Sequence, residues 1–144
     1  MKAARVILLI CATLALSSAC GETITLHIGQ DRIHAEVANT AQGRERGLMG
    51  RTLLCPDCGM LFVFIRPERV NFWMKNTPLP LSIAFIAADG TLINTDEMQP
   101  NSTNIHSAQG RALYALEMNS GWFSRNGIEQ DAVIRGLEQA PKGQ

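Results

Sequence analysis

The sequence predicts a mainly β domain, a compact antiparallel barrel or sandwich with one or two short helices. Three observations carry that expectation. About eight short stretches either alternate apolar with polar residues or run apolar without a break. Gly, Asp, Asn and Pro separate most of them. No strand–long helix–strand rhythm appears, so no Rossmann- or thioredoxin-type sheet is implied.

The elements follow in order. Residues 22–28, ETITLHI, place Ile24, Leu26 and Ile28 on one face of a half-buried strand. Gly29-Gln30-Asp31 reads as a turn. Residues 32–38 alternate again through Ile33, Ala35 and Val37, so the pair is expected to form a hairpin. Asn39 or Thr40 caps a short helix over 41–48, which Gly43 and Gly47 keep to one or two turns. Residues 60–65, MLFVFI, are continuously apolar, as in a strand buried on both faces. Arg66-Pro67-Glu68 is expected to turn the chain.

Residues 70–75, VNFWMK, read as an aromatic-rich strand that ends before Pro78 and Pro80, each of which lacks a ladder donor. Residues 82–87 form a further apolar strand. Asp89-Gly90 is a hairpin turn, and 91–98 return. Residues 99–109 are a polar loop. Residues 112–118, ALYALEM, are assigned as a strand from their alternation and loop-bounded length. Residues 121–126 suit a short helix, residues 132–137 a last strand, and the tail after 137 is expected to fray.

The N-terminus sets the compartment. Lys2 and Arg5 precede the apolar run 6–16, which is too short to span a bilayer and has the size of a secretory core segment. Ser17-Ser18-Ala19 lead directly into Cys20, the pattern of a bacterial lipoprotein signal in which Cys20 is lipidated and becomes the first residue. Ser17 stands where leucine is usual. Ser17 and Ala19 also permit ordinary cleavage, so soluble export is the alternative, with a retained membrane helix a third. Gly21 in place of Asp after the cysteine favours an outer-membrane anchor facing the periplasm. The expected layout is a leader over 1–19, a tether and first strand over 20–29, one β-rich domain over 30–137, and a tail over 138–144. Lys2 and Arg5 leave with the leader, so 11 basic groups face 13 acids in the remaining 125 residues, a net charge of −2 with histidine neutral. No basic field is available to hold nucleic acid.

Cys55 and Cys58 are then the thiols left in an exported chain, within CPDCG. A structural disulfide is the simplest reading in an oxidising compartment. Dithiol redox catalysis is a second, weakened because the motif precedes a strand rather than opening a helix, and because Asp57 disfavours a thiolate. Metal binding is a third, with Gly59 letting the backbone turn back. Zinc would need ligands from His27, His34 or His106, and copper could use Met49, Met60, Met74, Met98 or Met118.

The order Arg46-Gly47-Leu48-Met49, Gly59-Met60-Leu61-Phe62-Val63-Phe64, residues 72–81 (FWMKNTPLPL), Phe85-Ile86, Asp89-Gly90, Leu116-Glu117, Gly121 and Gly127 resembles the family called domain of unknown function 192 (uncharacterised protein family 0127). The likeness covers about residues 30–136. It implies a compact, mostly β, barrel-like domain with short helices, often in exported lipoproteins, and no established activity. Two positions depart: Ser82 stands where the family usually has Asp, and Gln130 replaces the Gly of a Gly-Asp pair. CPDC is not a general family feature.

A second candidate site is the cluster Arg46, Met49, Trp73, Lys75, Asn76 and Thr77. On an extended strand, Trp73 and Lys75 share a face that runs into a rigid proline loop, a surface able to stack and to donate hydrogen bonds. The competing reading buries Trp73 in the core with Lys75 reaching past it. Nucleophilic catalysis finds no setting, since Ser102, Ser107, Ser120 and Ser124 lack a nucleophile elbow. The expectation is therefore a non-catalytic, lipid-anchored envelope module whose ligand is a small molecule, a peptide or an envelope protein. The alternative is a thiol-redox, zinc or copper protein using Cys55 and Cys58.

Overall fold

The computed structural model describes residues 22–144. The leader and the lipidation candidate Cys20 lie outside the described residues. The expected barrel-like β domain is what forms: β1 (Thr23–Ile28), β2 (Asp31–Ala38), β3 (Cys58–Glu68), β5 (Leu81–Ile86), β6 (Leu92–Met98), β8 (Ala112–Asn119) and β9 (Ile134–Arg135) make one curled sheet in the order β6-β5-β8-β3-β2-β1-β9. β4 (Asn71–Phe72) and β7 (His106–Ser107) pair separately. The helices are α1 (Ala41–Arg46) and α2 (Trp122–Arg125), with one 3-10 turn over Leu137–Gln139. Among the described residues, no helix is long and apolar enough to cross a membrane.

The β1–β2 hairpin closes through Gly29-Gln30, with Gly29 at φ 58°. β2 and β3 run parallel, Ala35 beside Gly59 and Ala38 beside Phe62. The connection between them, residues 39–57, must therefore cross over, and it carries α1. Thr40 caps that helix by accepting from the Gly43 N–H at 3.0 Å. The other neighbouring pairs are antiparallel. The sheet curls until its ends meet: the Leu92 N–H donates to Ala132 and the Ile134 N–H to Gly90, with Thr91 bridged to Val133.

Period-two alternation sorts side chains into two cores. Leu26, Ile33, Leu61, Ala84, Leu116 and Met118 fill the first together with Trp122 and Phe123 of α2. Phe62, Leu81, Ile83 and Phe85 belong to the second, which Leu48, Leu54, Met74 and Leu79 cover from the connecting loops.

Three expectations are corrected. β3 does not stop at Ile65. It runs on to Glu68 with a register shift between Val63 and Glu68, so Arg66-Pro67 lies at an irregularity where a missing donor is tolerated. The VNFWMK strand ends at Phe72, because the Met74 N–H donates to Ser102 and the Thr77 N–H returns to Met74, which bends residues 73–77 into a turn. The tail does not fray: the Gln144 N–H donates to Asn39 at 2.7 Å, Asn39 Nδ2 to Lys142, and Arg44 to the carbonyls of Asn39, Val63 and Gln144.

Candidate functional site

The second-core face carries a transverse row that neither strand pattern nor spacing exposed. Register aligns Glu36 on β2 with Met60 on β3, Met60 with Glu117 on β8, Glu117 with Ile83 on β5, and Ile83 with Asp96 on β6. Neighbouring strands lie about 4.8 Å apart, so the backbone positions of the three acids follow one another at roughly 10 Å. The outer two have basic partners. Arg51 binds Glu36 through both terminal nitrogens, at 2.7 and 2.5 Å. His106 Nδ1 meets Asp96 Oδ2 at 2.6 Å.

Glu117 has none. It is 4% exposed between Met60 and Ile83. Among the described residues its carboxyl group enters no hydrogen bond or ion pair. Burial in these apolar surroundings disfavours the charged form and pushes its pKa up to about 8, with nothing nearby to pull it back. The group is not sealed, however. Among the described residues every fully buried side-chain polar atom has a partner, so an unpartnered carboxyl must keep a sliver of solvent contact.

Beside this row, α1 and the loop after it form a cleft of about 180 Å³ against β2. Val37, Ala38, Met49 and Met60 give it apolar walls, and Glu36, Arg46 and Arg51 supply charge. Arg46 is exposed, and among the described residues its guanidinium enters no hydrogen bond or ion pair. Met60 is shared by the two features: it lines the cleft and is the cross-strand neighbour of Glu117.

The six residues expected to form one ligand surface are divided. Arg46 and Met49 line the cleft. Trp73 is 46% exposed and so is not core; Lys75 Nζ lies 5.2 Å from its ring centroid, a cation–π contact on the surface. Asn76 and Thr77 serve the turn. Asn76 takes a left-handed φ of 57°, its carbonyl accepts from the Gly50 N–H at 2.8 Å, and Thr77 is buried with its hydroxyl on the Lys75 carbonyl. The Gly50–Asn76 bond joins the loop after α1 to the Trp73 turn, so the two halves are neighbours, although only the first lines the cleft.

Cys55 and Cys58 are joined as a disulfide, with Cα atoms 5.0 Å apart. The CPDC loop is held in other ways as well: Asn119 Nδ2 donates to the Cys55 carbonyl at 2.8 Å, and Trp122 Nε1 donates to Asp57 at 3.1 Å. Gly59 does not turn the chain back, as a metal knuckle would require. It is an interior residue of β3, without a positive φ, pressed against Met118 and the Glu117 carbonyl. The methionines considered for copper are split, with Met60, Met74 and Met98 in the second core and Met118 in the first. Among the described residues, no group of three His, Cys, Asp or Glu side chains could hold a metal ion.

Such a fold, a curled sheet with a charged cleft and a buried acid, defines a small β-domain with a ligand-sized recess. Comparison then places it: residues 24–136 match the family model DUF192, described as an uncharacterized ACR, and the chain belongs to that family. It is similar to a solved structure from Sinorhizobium meliloti 1021, named as a candidate transcription regulator, at 34% identity over 81% of this chain and 95% of that one, with a TM-score of 0.79. A protein of unknown function from Novosphingobium aromaticivorans DSM 12444 is similar at 29% identity over 83% and 89%, also with a TM-score of 0.79. No curated protein matches.

Ser82 belongs to a polar cluster at the start of α2. Ser82 is buried and donates to Glu97, its cross-strand partner, at 2.5 Å, while the Gly121 N–H donates to Ser82 Oγ at 2.7 Å and to Glu97 Oε2 at 3.2 Å. The Glu97 carboxylate on β6 thus reaches the entrance to α2.

Proposed function

We propose that this chain is a non-catalytic binding module, lipid-anchored through Cys20 to a bacterial envelope membrane, and that its cleft beside α1 takes a small ligand carrying an anionic group. The observation that carries the reading is Arg46, whose guanidinium has no hydrogen bond or ion pair among the described residues and lies on a recess walled by Met49 and Met60. A guanidinium binds carboxylate in a fork, and thioether walls accept an apolar body of varied shape. The volume suits a residue-sized group. The lipid anchor is supported by the leader pattern described above. The net charge of −2 speaks against a phosphate-backbone partner.

Fatty-acid labelling should mark the wild type and be lost in Cys20→Ala. Ligand-observed NMR of the full chain against short-chain carboxylates should show saturable binding that weakens about tenfold in Arg46→Ala, on the order of 1.4 kcal/mol. Equal binding by Arg46→Ala with unchanged unfolding would remove the cleft from the reading.

A second reading, a thiol-redox, zinc or copper protein, keeps one supporting observation: His34 is the register neighbour of Cys58. The loop's own hydrogen bonds argue for a bridge that adds little. Converting Cys55 and Cys58 together to Ser is expected to cost at most about 2 kcal/mol, because the closed loop is short. Urea unfolding checks this, and zinc or copper retained by the reduced wild type would favour the second reading.

A further inference from the structure

We propose that Glu117 is the anchor of an interior site for a basic nitrogen on an unbranched apolar stem, an alkylammonium-type group that enters past Met60. The argument starts from the row. Glu36, Glu117 and Asp96 lie on one face of four adjoining strand pairs. The fold gives the outer two acids a basic partner each, Arg51 and His106. The central acid is the most deeply buried of the three and has none. An unpaired acid in an apolar interior is disfavoured against Met or Leu of similar volume, so structure alone does not explain it. What the row lacks at its centre is a basic nitrogen.

The surroundings fix the rest of the ligand. Met60 and Ile83 flank the carboxyl on the neighbouring strands, and Ala115 and Leu81 lie on the same face one pair away. These four are apolar, and the polar side chain on the same face, Asn119 opposite Leu81, is committed to the Cys55 carbonyl. The competing cations nearby are committed or lie elsewhere: Arg51 binds Glu36, Lys75 lies over Trp73, and Arg46 lines the outer cleft. Met60 separates that cleft from Glu117, and its three side-chain torsions let it swing aside without moving the backbone.

This site is independent of the anionic-ligand reading of the cleft. Either can fail while the other stands, because the probes carry opposite charges. The test uses the full chain with n-pentylamine, n-pentanol and pentanoate as probes, read by carbon-13 NMR of the Glu117 carboxyl. Pentylamine should shift that resonance saturably and lower its titration midpoint by at least one pH unit. Pentanol and pentanoate should do neither. Ligand-observed NMR, which does not depend on the carboxyl signal, should show pentylamine binding lost in Glu117→Gln, which keeps the shape, and in Glu117→Met, which retains the fold. Met60→Ala should retain or strengthen it. Equal response to pentanol, amine binding that survives in Glu117→Gln, or no saturable shift with pentylamine would each overturn the proposal.

Discussion

Glu117→Gln should flatten the pH dependence of stability and raise stability at neutral pH and above. The wild-type carboxyl sits at about 8 in the folded chain against an ordinary value of 4.5. Between those two pH values the folded state holds a proton that the unfolded state has released. Stability therefore falls as pH rises through that window, by about 1.4 kcal/mol per unit where the difference is complete, and levels off above about pH 8. The accumulated loss is about 3 kcal/mol at pH 7 and approaches about 5 kcal/mol above pH 8, as order-of-magnitude values. Gln carries no charge in either state and escapes it. Urea unfolding of both proteins at a series of pH values between about 5 and 9 reads the difference directly. The other ionisable groups on the row, Glu36 with Arg51 and Asp96 with His106, remain in both proteins and cancel. Parallel curves for wild type and variant would show that the carboxyl is neither buried nor neutral.

Gly59→Ala should be the most damaging small substitution in β3. A Cβ built there would overlap Met118 Sδ and lie 2.5 Å from the Glu117 carbonyl oxygen. The thioether can yield, but a backbone carbonyl in a paired strand cannot. Either β3 and β8 separate, breaking the register that runs from Gly59–Met118 to Val63–Tyr114, or the strands distort. Overpacking of this kind costs typically 1–3 kcal/mol, and the rigid neighbour places this case at about 3 kcal/mol or more. Loss should appear as a lowered urea midpoint with the slope unchanged. A neutral result would contradict the close approach of the two strands.

The frame of this fold was readable because its strands obey period two. The β1–β2 hairpin, the β5–β6 hairpin at Asp89-Gly90, and the strand assignment of ALYALEM, now β8, all follow from alternation and turn chemistry. The buried acid was not readable for the same reason. In ALYALEM, Leu116 and Met118 define the inward face, so Glu117 reads as solvent-facing. It is buried because loops 47–57 and 73–80 bring Leu48, Leu54 and Met74 over that outer face, and loops that distant leave no trace in the local pattern. Glu36 looked equally ordinary in RIHAEVA. Its partner Arg51 lies 15 residues on, across a parallel crossover that no local signal predicts. Strand alternation puts Trp73 and Lys75 on one face, and the structure keeps them on one side by a different route. Their strand is really a turn, yet burial still alternates from Phe72 to Lys75.

The first described residue has a consequence for orientation. The Val37 N–H donates to the Glu22 carbonyl at 2.8 Å, and Val37 is a wall of the cleft. If Cys20 carries the acyl chains, its Cα lies at most about 7 Å from that of Glu22, with Gly21 alone between them. The recess would then sit against the lipid headgroups and sample molecules travelling along the bilayer surface, not those diffusing through the aqueous space beyond it.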